Sequence, residues 1–575
     1  MHIFNRRPTA SAVRILTILV FAIAASTAFA APQIPDYNIG GAMKEAAPPP
    51  TPPKKEVPTP SKPVIIQEEE KPFSLTDGEK IFIKDFRLEG AEKGDEAKLS
   101  ALLAPYKNRD LTMTEIREAA NKLTLFYRDR GYLVAKAYIP KQDARDGILT
   151  IRIIMGSYGT FSLKNKSLVR DSLLQGVFDN TKKGASQVVT KGGLERSILV
   201  VRDMPGCAIP TVTLAPGTLP GTTDFEVGVD AGQRFTGYLM ADNQGSRFTG
   251  RNRVYGGIDL NSPTGSADKL SVSGMTTEDG DLWNARLAYG FPLAHNGLRG
   301  EVAVSRTNYE LGGEYSSLSA LGVADSLEGT VFYPVKKTSE EAYDLSVNFT
   351  YKKLWDDLWY TGTHNRREAY AGTVALQRNA YGSLLGQHLF TNATASFSVG
   401  SVEFTDAAQE ALNMGKNAAN TEGIYSKFDL ALSANLELTE DISAKASFKM
   451  QQVLSAANID SSEQFFISGL GGVKAYSESV GFDNGYLVNL EAKYALPPLF
   501  GLKQSLGVFF DHGLAYAEKG EYTVNDIFIL SDIGLGYYAS YKQLFCTAQV
   551  AQPVGKTSGV NDPGTRILLQ FGAVF

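Results

Sequence analysis

The amino-acid sequence predicts a mainly β protein, in which a 16-stranded antiparallel transmembrane β-barrel follows two small α+β domains of β-α-α-β-β order. Three observations lead to this prediction. From about Arg234 to Phe575, sixteen amphipathic segments recur with turn residues between them, as the strands of a membrane barrel do. Between residues 73 and 230, one pattern of strands and helices occurs twice, about 80 residues apart. No run of about 18 apolar residues follows the N-terminal region, so membrane-spanning helices are not expected.

Composition and charge exclude several classes of function. The chain has a net charge of −5 and lacks the basic footprint of nucleic-acid-binding proteins, so no nucleic-acid partner is expected. Cys207 and Cys546 lie far apart, and we expect unpaired, buried thiols rather than a disulfide. The five histidines are scattered and no Cys/His cluster occurs, so neither a metal site nor another cofactor is expected. No catalytic constellation emerges, and we do not expect an enzyme.

The N-terminal region is a targeting segment followed by a spacer. Three arginines precede the apolar core Ile15–Ala25, and Ala28–Ala30 has small residues at the positions that signal peptidase requires, which predicts a signal peptide over residues 1–30. Residues 31–72 are rich in proline and predict an extended linker. Gly41–Ala47 is a candidate short helix within it. That helix is either a frayed turn or a segment that plugs the barrel.

The two α+β domains are expected at residues 73–157 and 158–230. In the first, a strand over IFIKDFRLEG precedes two helices, Asp95–Leu103 and Thr114–Arg130, and then the strands YLVAKAYIP and GILTIRIIM. The second repeats this order. Two helices on one face of a small sheet leave an edge strand free, and a free edge can accept an extended peptide by strand addition. The alternative is a pair of ordinary modules whose edges are merely blunted.

The barrel is expected over residues 231–575, and its final strand has the clearest pattern. Alternate residues Ile567, Leu569, Phe571 and Ala573 form an apolar face, whereas the opposite face carries Arg566 and other polar residues. This alternation is typical of a strand with one side towards lipid and one towards the lumen. A half-buried strand of a soluble sandwich would look similar in isolation, but sixteen such segments favour the barrel.

A long connection interrupts the strands between the eleventh and the twelfth. Leu454–Gly485 shows no strand or helix period, and a loop of this length is usually functional or disordered. Its glycine-rich part, Ser468–Tyr486, carries a single charge within Gly469–Tyr476, which is Lys474. The simplest interpretation is a solvated lysine on an external loop.

Three regions resemble a known family. The segment YRDRGYLVAKAYIPKQDARDGILTIRIIMGSYG resembles the polypeptide-transport-associated (POTRA) domain of two-partner-secretion outer-membrane transporters, the haemolysin/haemagglutinin secretion-activation type. The matching residues are Tyr127, Gly131, Tyr132, Pro140, Gln142, Asp143, Asp146, Gly147 and Gly156. For the first six, the resemblance implies a role in substrate recognition. Leu194–Arg196 and Asp203–Gly206 resemble the second such domain, and Asp242–Gly274 resembles the first barrel hairpins.

The resemblance also implies a site inside the barrel. The family has a Val-Arg-Gly-Tyr/Phe motif on a loop that folds into the lumen, and a Phe-x-Asp-x-Gly motif on a late strand. The corresponding residues here are Val473, Lys474, Ala475 and Tyr476 on the loop, and Phe509, Asp511 and Gly513 on the strand. The resemblance therefore pairs Lys474 with Asp511. Lysine in place of arginine loses a bidentate contact, and Ala475 in place of glycine removes backbone freedom.

These features lead to a functional hypothesis. The resemblance implies an outer-membrane transporter, with its POTRA domains in the periplasm, that recognises and exports a large β-rich partner of the adhesin, haemagglutinin or haemolysin type. It leaves open whether export also activates the partner. The alternatives are an insertase for other barrels and a passive porin. Further expected partners are outer-membrane lipid and, during biogenesis, the barrel-assembly machinery and periplasmic chaperones. The terminal Phe575 is expected to serve as the membrane-assembly signal.

Overall fold

The structure, a computed structural model, describes residues 37–47, 79–144, 146–183, 187–469, 471–523, 525–555 and 564–575. The predicted signal peptide and most of the predicted linker lie outside the described residues. The helices are α1 Ile39–Ala46, α2 Glu96–Leu103, α3 Met113–Asp129, α4 Asp171–Lys183, α5 Lys191–Arg202 and α6 Ala407–Asn413. None of the helices in the described ranges is long and apolar enough to cross a membrane.

Eight strands precede the barrel and form three small sheets. They are β1 Lys80–Ile83, β2 Asp85–Glu89, β3 Arg109–Thr112, β4 Lys136–Tyr138, β5 Ile148–Ile154, β6 Ser157–Asn165, β7 Thr211–Pro216 and β8 Thr222–Val229. The sheet orders are β1–β3, β2–β5–β4 and β6–β8–β7. The two three-stranded sheets, each with two helices, give the predicted α+β repeat.

The first α+β unit differs from the prediction at its first strand. The segment IFIKDFRLEG forms two strands, because its apolar positions change phase between Ile83 and Phe86 and one strand cannot bury both sets. At the break, the backbone N–H groups of Lys84 and Asp85 both donate to the carbonyl oxygen of Gly147, at 2.7 and 3.2 Å. The first of the two strands, β1, then pairs with β3, which the sequence pattern did not reveal. The predicted strand YLVAKAYIP is also shorter, since only β4 pairs.

The long helix α3 forms between the capping signals that the sequence carries at its two ends. Thr112 caps it in a capping box with Glu115, and Gly131 with φ of 93° ends it. Its apolar face, with Ile116, Leu123 and Tyr127 fully buried, covers the sheet of the first unit. The predicted helix boundaries are therefore right to within one residue.

The second unit is built on stacked aromatic rings and is fixed to the barrel. Phe161 stacks on Phe225 with 4.8 Å between ring centroids. On α5, the guanidinium of Arg196 donates to the carbonyl oxygen of Pro334 at 2.6 Å, near the end of a barrel strand, and to that of Asn296 at 3.2 Å, in a short barrel turn. These contacts place the second unit at the short-turn end of the barrel.

The barrel closes with sixteen antiparallel strands, as predicted. They are β9 Phe235–Asp242, β10 Arg253–Asn261, β11 Lys269–Thr277, β12 Leu282–Pro292, β13 Arg299–Glu310, β14 Ala320–Lys337, β15 Glu341–Leu358, β16 Thr363–Leu384, β17 Gln387–Phe404, β18 Gly423–Glu437, β19 Ile442–Val453, β22 Asn484–Leu499, β23 Leu502–Tyr516, β24 Ile527–Tyr541, β25 Leu544–Pro553 and β26 Arg566–Val574. A short hairpin, β20 Phe465–Phe466 and β21 Gly481–Phe482, lies inside the long connection.

The alternation on β26 is as predicted. Ile567 and Phe571 expose 62% and 53% of their surface on the outside, whereas Leu568 exposes 1% and faces the lumen. The seam between β26 and β9 is short. It pairs residues only from Gln570↔Asp242 to Val574↔Tyr238, extended by Gly237 and Phe575, which exchange two backbone hydrogen bonds of 2.8 and 2.9 Å.

Candidate functional site in the barrel lumen

Helix α1 lies inside the barrel and packs against β12 to β15. The side chain of Asn38 caps it by accepting from the N–H of Gly41 at 3.0 Å. Ile39 and Ala42 are fully buried, and the N–H of Ile39 donates to Asp356 Oδ1 on β15 at 3.0 Å. The helix begins two residues before the predicted start and ends one residue earlier. It is a helix packed inside the lumen rather than a frayed turn.

The carboxylate of Glu45 ties α1 to the first hairpin of the barrel. It accepts from the N–H of Ser246 at 2.7 Å and from the hydroxyl of Tyr37 at 2.9 Å. The guanidinium of Arg253 reaches the carbonyl oxygen of Glu45 at 3.3 Å and pairs with Asp242 at 2.8 Å. Because these groups are buried and mutually satisfied, releasing the helix would leave several of them without partners.

The long connection between β19 and β22, which we call the lumen loop (residues 454–483), also folds into the barrel. It packs directly on α1. A Cβ added to Gly40 would lie 2.0 Å from the carbonyl oxygen of Ser461, and one added to Gly41 would lie 2.9 Å from Cβ of Ser479. A side chain on either glycine would collide with the lumen loop. Glycine at both positions therefore allows the helix and the loop to pack this closely.

The ion pair that the family resemblance implies is present. Lys474 Nζ lies 2.6 Å from Asp511 Oδ2, and the two side chains are 17% and 0% exposed. The other carboxylate oxygen accepts from the side-chain amide of Asn489 at 2.8 Å. Lys474 Nζ also lies 4.2 Å from the ring centroid of Phe509. The lysine is therefore held by a charge and an aromatic face, although it lacks the fork of an arginine.

The neighbouring residues of the motif are buried and tightly placed. Ala475 is not among the described non-glycine residues with positive φ, so alanine is compatible with the backbone at this position. Its N–H donates to Asp532 Oδ2 at 2.6 Å. Val473 and Tyr476 are almost fully buried. On β23, a Cβ added to Gly513 would lie 2.9 Å from Cβ of Ile467, so this glycine admits the lumen loop.

A second set of ion pairs holds the other end of the lumen loop. Glu463 pairs with Lys352 at 2.6 Å and with Lys427 at 3.0 Å. Asp460 pairs with Arg367 at 2.9 Å, and Arg367 also contacts Asp356, which binds the backbone of α1. One chain of charges therefore joins the lumen loop, the barrel wall and the helix. Leaving any of these buried charges without its partner would cost free energy. The ion pairs therefore favour the state in which α1 and the lumen loop fill the lumen.

Sequence reasoning missed these charges and three groups around Lys474, which are Asn489, Asp532 and Arg566. Arg566 donates to the carbonyl oxygen of Lys474 at 3.2 Å. Asp532 lies directly across the ladder from Asp511. The usable signal was weak, because polar residues are common at lumen-facing positions of barrel strands and none of these three belongs to a recognisable motif.

The six residues expected to recognise substrate lie in the first α+β unit. Tyr127 is fully buried, and its hydroxyl accepts from the N–H of Glu92 at 3.1 Å. Gln142 accepts from the N–H of Thr150 at 2.7 Å and donates to its carbonyl oxygen at 2.8 Å. Tyr132 contacts Glu92. The Gln142 contacts shape the turn before β5, whereas those of Tyr127 and Tyr132 fix Glu92 in the connection between β2 and α2.

Three of the six lie at the ends of elements. Gly131 ends α3, and its carbonyl oxygen accepts from the N–H of Lys191 at 2.7 Å, at the start of α5. Pro140 and Asp143 lie in the connection between β4 and β5. A role of these residues in recognition therefore stays a prediction.

The lumen holds no evident centre for chemistry. Within the described residues, no group of three or more His, Cys, Asp or Glu side chains is placed to hold a metal ion. The polar groups form ion pairs and hydrogen bonds between the helix, the lumen loop and the wall. Such an arrangement can keep a pore closed and can release it when the contacts break.

Comparison with family models gives two matches. A model described as POTRA domain, ShlB-type, matches residues 81–156. A model described as haemolysin secretion/activation protein ShlB/FhaC/HecB matches residues 221–537, which is more than half of the chain. The two matches fall on the first α+β unit and on the barrel.

One relative and one solved structure are similar over most of the chain, and a second relative over 30% of it. The heme/hemopexin transporter protein HuxB of Haemophilus influenzae (strain 86-028NP) is 25% identical over 418 residues, 72% of each chain. The outer membrane transporter CdiB of Dickeya dadantii is 25% identical over 174 residues, 30% of each chain. The structure of CdiB from Escherichia coli superposes with a TM-score of 0.71 at 15% identity, covering 99% of this chain and 100% of that one.

Proposed function

The chain belongs to the haemolysin secretion/activation protein family of outer-membrane transporters, and we propose that it exports and activates a large β-rich partner protein by two-partner secretion. Its location is the outer membrane, with the POTRA domain in the periplasm. The observation that carries the proposal is the filled lumen. Helix α1 and the lumen loop fill the lumen through contacts that are specific, buried and noncovalent, as a regulated protein channel requires.

Recognition would take place on the periplasmic units, for which we propose the bounds 73–157 and 158–230, with the barrel over 231–575. In the first unit, β2 and β4 are the edges of the three-stranded sheet, and in the second, β6 and β7 are. An extended segment of the partner can add to such an edge through main-chain hydrogen bonds. Gln142 would act indirectly, by holding the turn between β4 and β5 in place, and Tyr127 by fixing the connection between β2 and α2.

Export would begin when the Lys474–Asp511 contact and the α1 contacts are released. The partner would then pass outward through the lumen in an unfolded form. No nucleotide-binding motif was recognised in the sequence, so we propose that folding of the partner outside the cell drives transport. A passive porin fits less well, because the lumen is occupied by two packed elements of the chain itself.

The partner would be an adhesin, a haemagglutinin or a haemolysin type of protein. The relative in Haemophilus influenzae is named as a heme/hemopexin transporter protein, so a haem-carrier-binding partner is another case to test. Lipid surrounds the barrel, and we propose that the barrel-assembly machinery and chaperones insert it, with Phe575 in the assembly signal. No enzymatic step forms part of this proposal.

Comparison of secreted proteins tests the proposal. The culture supernatant of the wild-type strain is compared by quantitative mass spectrometry with that of a deletion strain and of the deletion strain carrying the gene on a plasmid. We expect one large protein, or a small set, to disappear from the supernatant and to return on complementation. Unchanged supernatants with altered outer-membrane barrels would contradict export and support the insertase alternative.

A further inference from the structure

Three lysines on neighbouring barrel strands face the lumen between the lumen loop and the short-turn end of the barrel. Lys445 and Lys449 lie on β19, and Lys503 lies on β23. Both lysines of β19 share the side of that strand that carries Gln451, whose amide donates to the lumen loop. Lys503 shares the side of β23 that carries Asp511. All three side chains therefore project into the lumen.

A fourth lysine lies opposite them on the last turn of α1. The charges of this residue, Lys44, and of Lys445 are those that act on Lys449, so the surroundings of Lys449 are cationic. A Cβ added to Gly471 would lie 4.0 Å from Lys449 Nζ, which places this amine directly against the lumen loop. Lys44, Lys445 and Lys503 are exposed to the space within the barrel.

None of the four lysines forms an ion pair with a carboxylate in the part of the chain that the structure describes. We call Lys445, Lys449 and Lys503 the lysine face. On the opposite side of the barrel, by contrast, Arg286 Nη2 lies 3.0 Å from Glu301 Oε1 and 3.3 Å from Glu328 Oε2. The positive charge of the lysine face is therefore left for a ligand from outside the chain.

We propose that the lysine face binds acidic segments of the exported partner as they enter the lumen, an inference that rests on the proposed function. A cleft lined by charges of one sign concentrates groups of the opposite sign. Lysine is a hydrated point charge without the fork of arginine, so each contact is weak and quickly exchanged. Such contacts hold a chain near the lumen loop without stopping its passage.

The spacing of the lysine face favours a polypeptide over a small anion. The Cα atoms of Lys445 and Lys449 are about 14 Å apart, since each strand residue advances the chain by about 3.4 Å. An extended acidic segment presents carboxylates at matching intervals along this length. A single small anion would instead require the two side chains to converge against their mutual repulsion.

Peptide binding to the full-length protein in lipid nanodiscs tests the inference. The probe is a fluorescein-labelled peptide of about twelve residues in which glutamate alternates with serine, so that all glutamates share one side when it is extended. Fluorescence anisotropy gives its Kd. We expect binding that weakens as salt is added, because these contacts are solvated. The same peptide with glutamine in place of glutamate should not bind.

The variant Lys445→Gln/Lys449→Gln/Lys503→Gln should raise the Kd about tenfold, since each solvated contact contributes about two- to threefold. The control is Lys269→Gln, because Lys269 faces the lumen from β11 but has a carboxylate, that of Asp259, at 3.8 Å. It should leave the Kd unchanged. Heat-modifiable gel mobility verifies that each variant is a folded barrel. As a second measurement on the wild type, a benzophenone on the peptide should crosslink to residues of β19 or β23.

An unchanged Kd in the triple variant, equal binding of the glutamine peptide, or crosslinks only to other strands would overturn the inference. Displacement of the peptide by inorganic phosphate at equal concentration of charge would also overturn it, in favour of a small-anion site. These outcomes are independent of the proposed function. That function fails if deletion of the gene leaves the supernatant unchanged, whereas the present inference fails if peptide binding does not depend on the lysine face.

Discussion

Replacement of Lys474 by alanine is the sharpest test of the lumen site. The change removes the ammonium that lies 2.6 Å from Asp511. It leaves a fully buried carboxylate that accepts from the amide of Asn489 and faces a second carboxylate, Asp532, across the ladder. We expect the lumen loop to detach from the barrel wall at this position, export to be impaired, and pore openings to become frequent. Asp511→Ala should act in the same direction but less strongly, since the lysine retains Phe509 and some exposure to water.

The magnitude follows from burial. Removal of one partner of a buried ion pair costs about 3–5 kcal/mol. Lys474 keeps 17% of its side-chain surface in water, so the lower end, about 3 kcal/mol, applies. At about 1.4 kcal/mol per factor of ten, the ratio of seated to released lumen loop should fall about 100-fold. A closed resting state would thereby become one with readily observed openings.

Planar-bilayer recording measures the frequency of openings, and immunoblotting of the supernatant measures export. Lys474→Arg keeps the charge and should preserve both. The double variant Lys474→Ala/Asp511→Ala should be no worse than Lys474→Ala, because the Asp511 carboxylate that would lose its cation is then absent. Lys493→Ala serves as a control, since Lys493 also contacts a carboxylate and a tyrosine ring in the barrel but lies outside these contacts of the lumen loop.

The reasoning would be refuted if both alanine variants exported the partner and conducted as the wild type does. The lumen loop would then be a passive connection despite its buried contacts. A defect in Lys493→Ala equal to that in Lys474→Ala would also refute it, because the effect would then reflect loss of any luminal lysine.

Three further predictions concern the helix and the first periplasmic unit. Gly40→Ala should unseat α1 and raise the frequency of openings in bilayers, because its Cβ would lie 2.0 Å from the carbonyl oxygen of Ser461. Deletion of residues 73–156 should abolish export while heat-modifiable gel mobility still reports a folded barrel. The hydrogen bond from Arg130 holds the pKa of Asp95 below its ordinary value. Its stabilising effect is therefore full above the unfolded pKa of about 3.9 and lost as pH falls through the lower folded pKa. Arg130→Gln should lower the melting temperature at neutral pH and have no effect in strong acid.

The sequence predicted those features that depend on local periodicity. Sixteen amphipathic segments gave the barrel, and the repeated pattern gave the two α+β units. The outward face of β26 was predicted from alternation alone, which period-two side-chain geometry makes reliable. The family resemblance added the Lys474–Asp511 pair, which periodicity cannot reveal, since the two residues are separated by the strand β22.

The features that escaped prediction depend on contacts between distant parts of the chain. Strand β1 pairs with β3 across a helix, and four residues carry too little pattern to be recognised. Arg367 and Asp460 meet only because the lumen loop turns inward. The close approach of Gly40 to Ser461 depends on the fold of the whole barrel. In each case the sequence supplied suitable residues but no local signal for their partners.

The position of Arg566 has a consequence for the order of assembly. This residue lies on the strand that closes the barrel, and it donates to the carbonyl oxygens of Lys474 at 3.2 Å and of Gly245 at 3.5 Å. Lys474 belongs to the lumen loop, and Gly245 lies in the turn after β9. A nascent barrel in which β26 has not yet paired with β9 therefore lacks one of the contacts that hold the lumen loop in place. Wall closure and pore sealing would then be completed together, so that an unfinished barrel is also a leaky one.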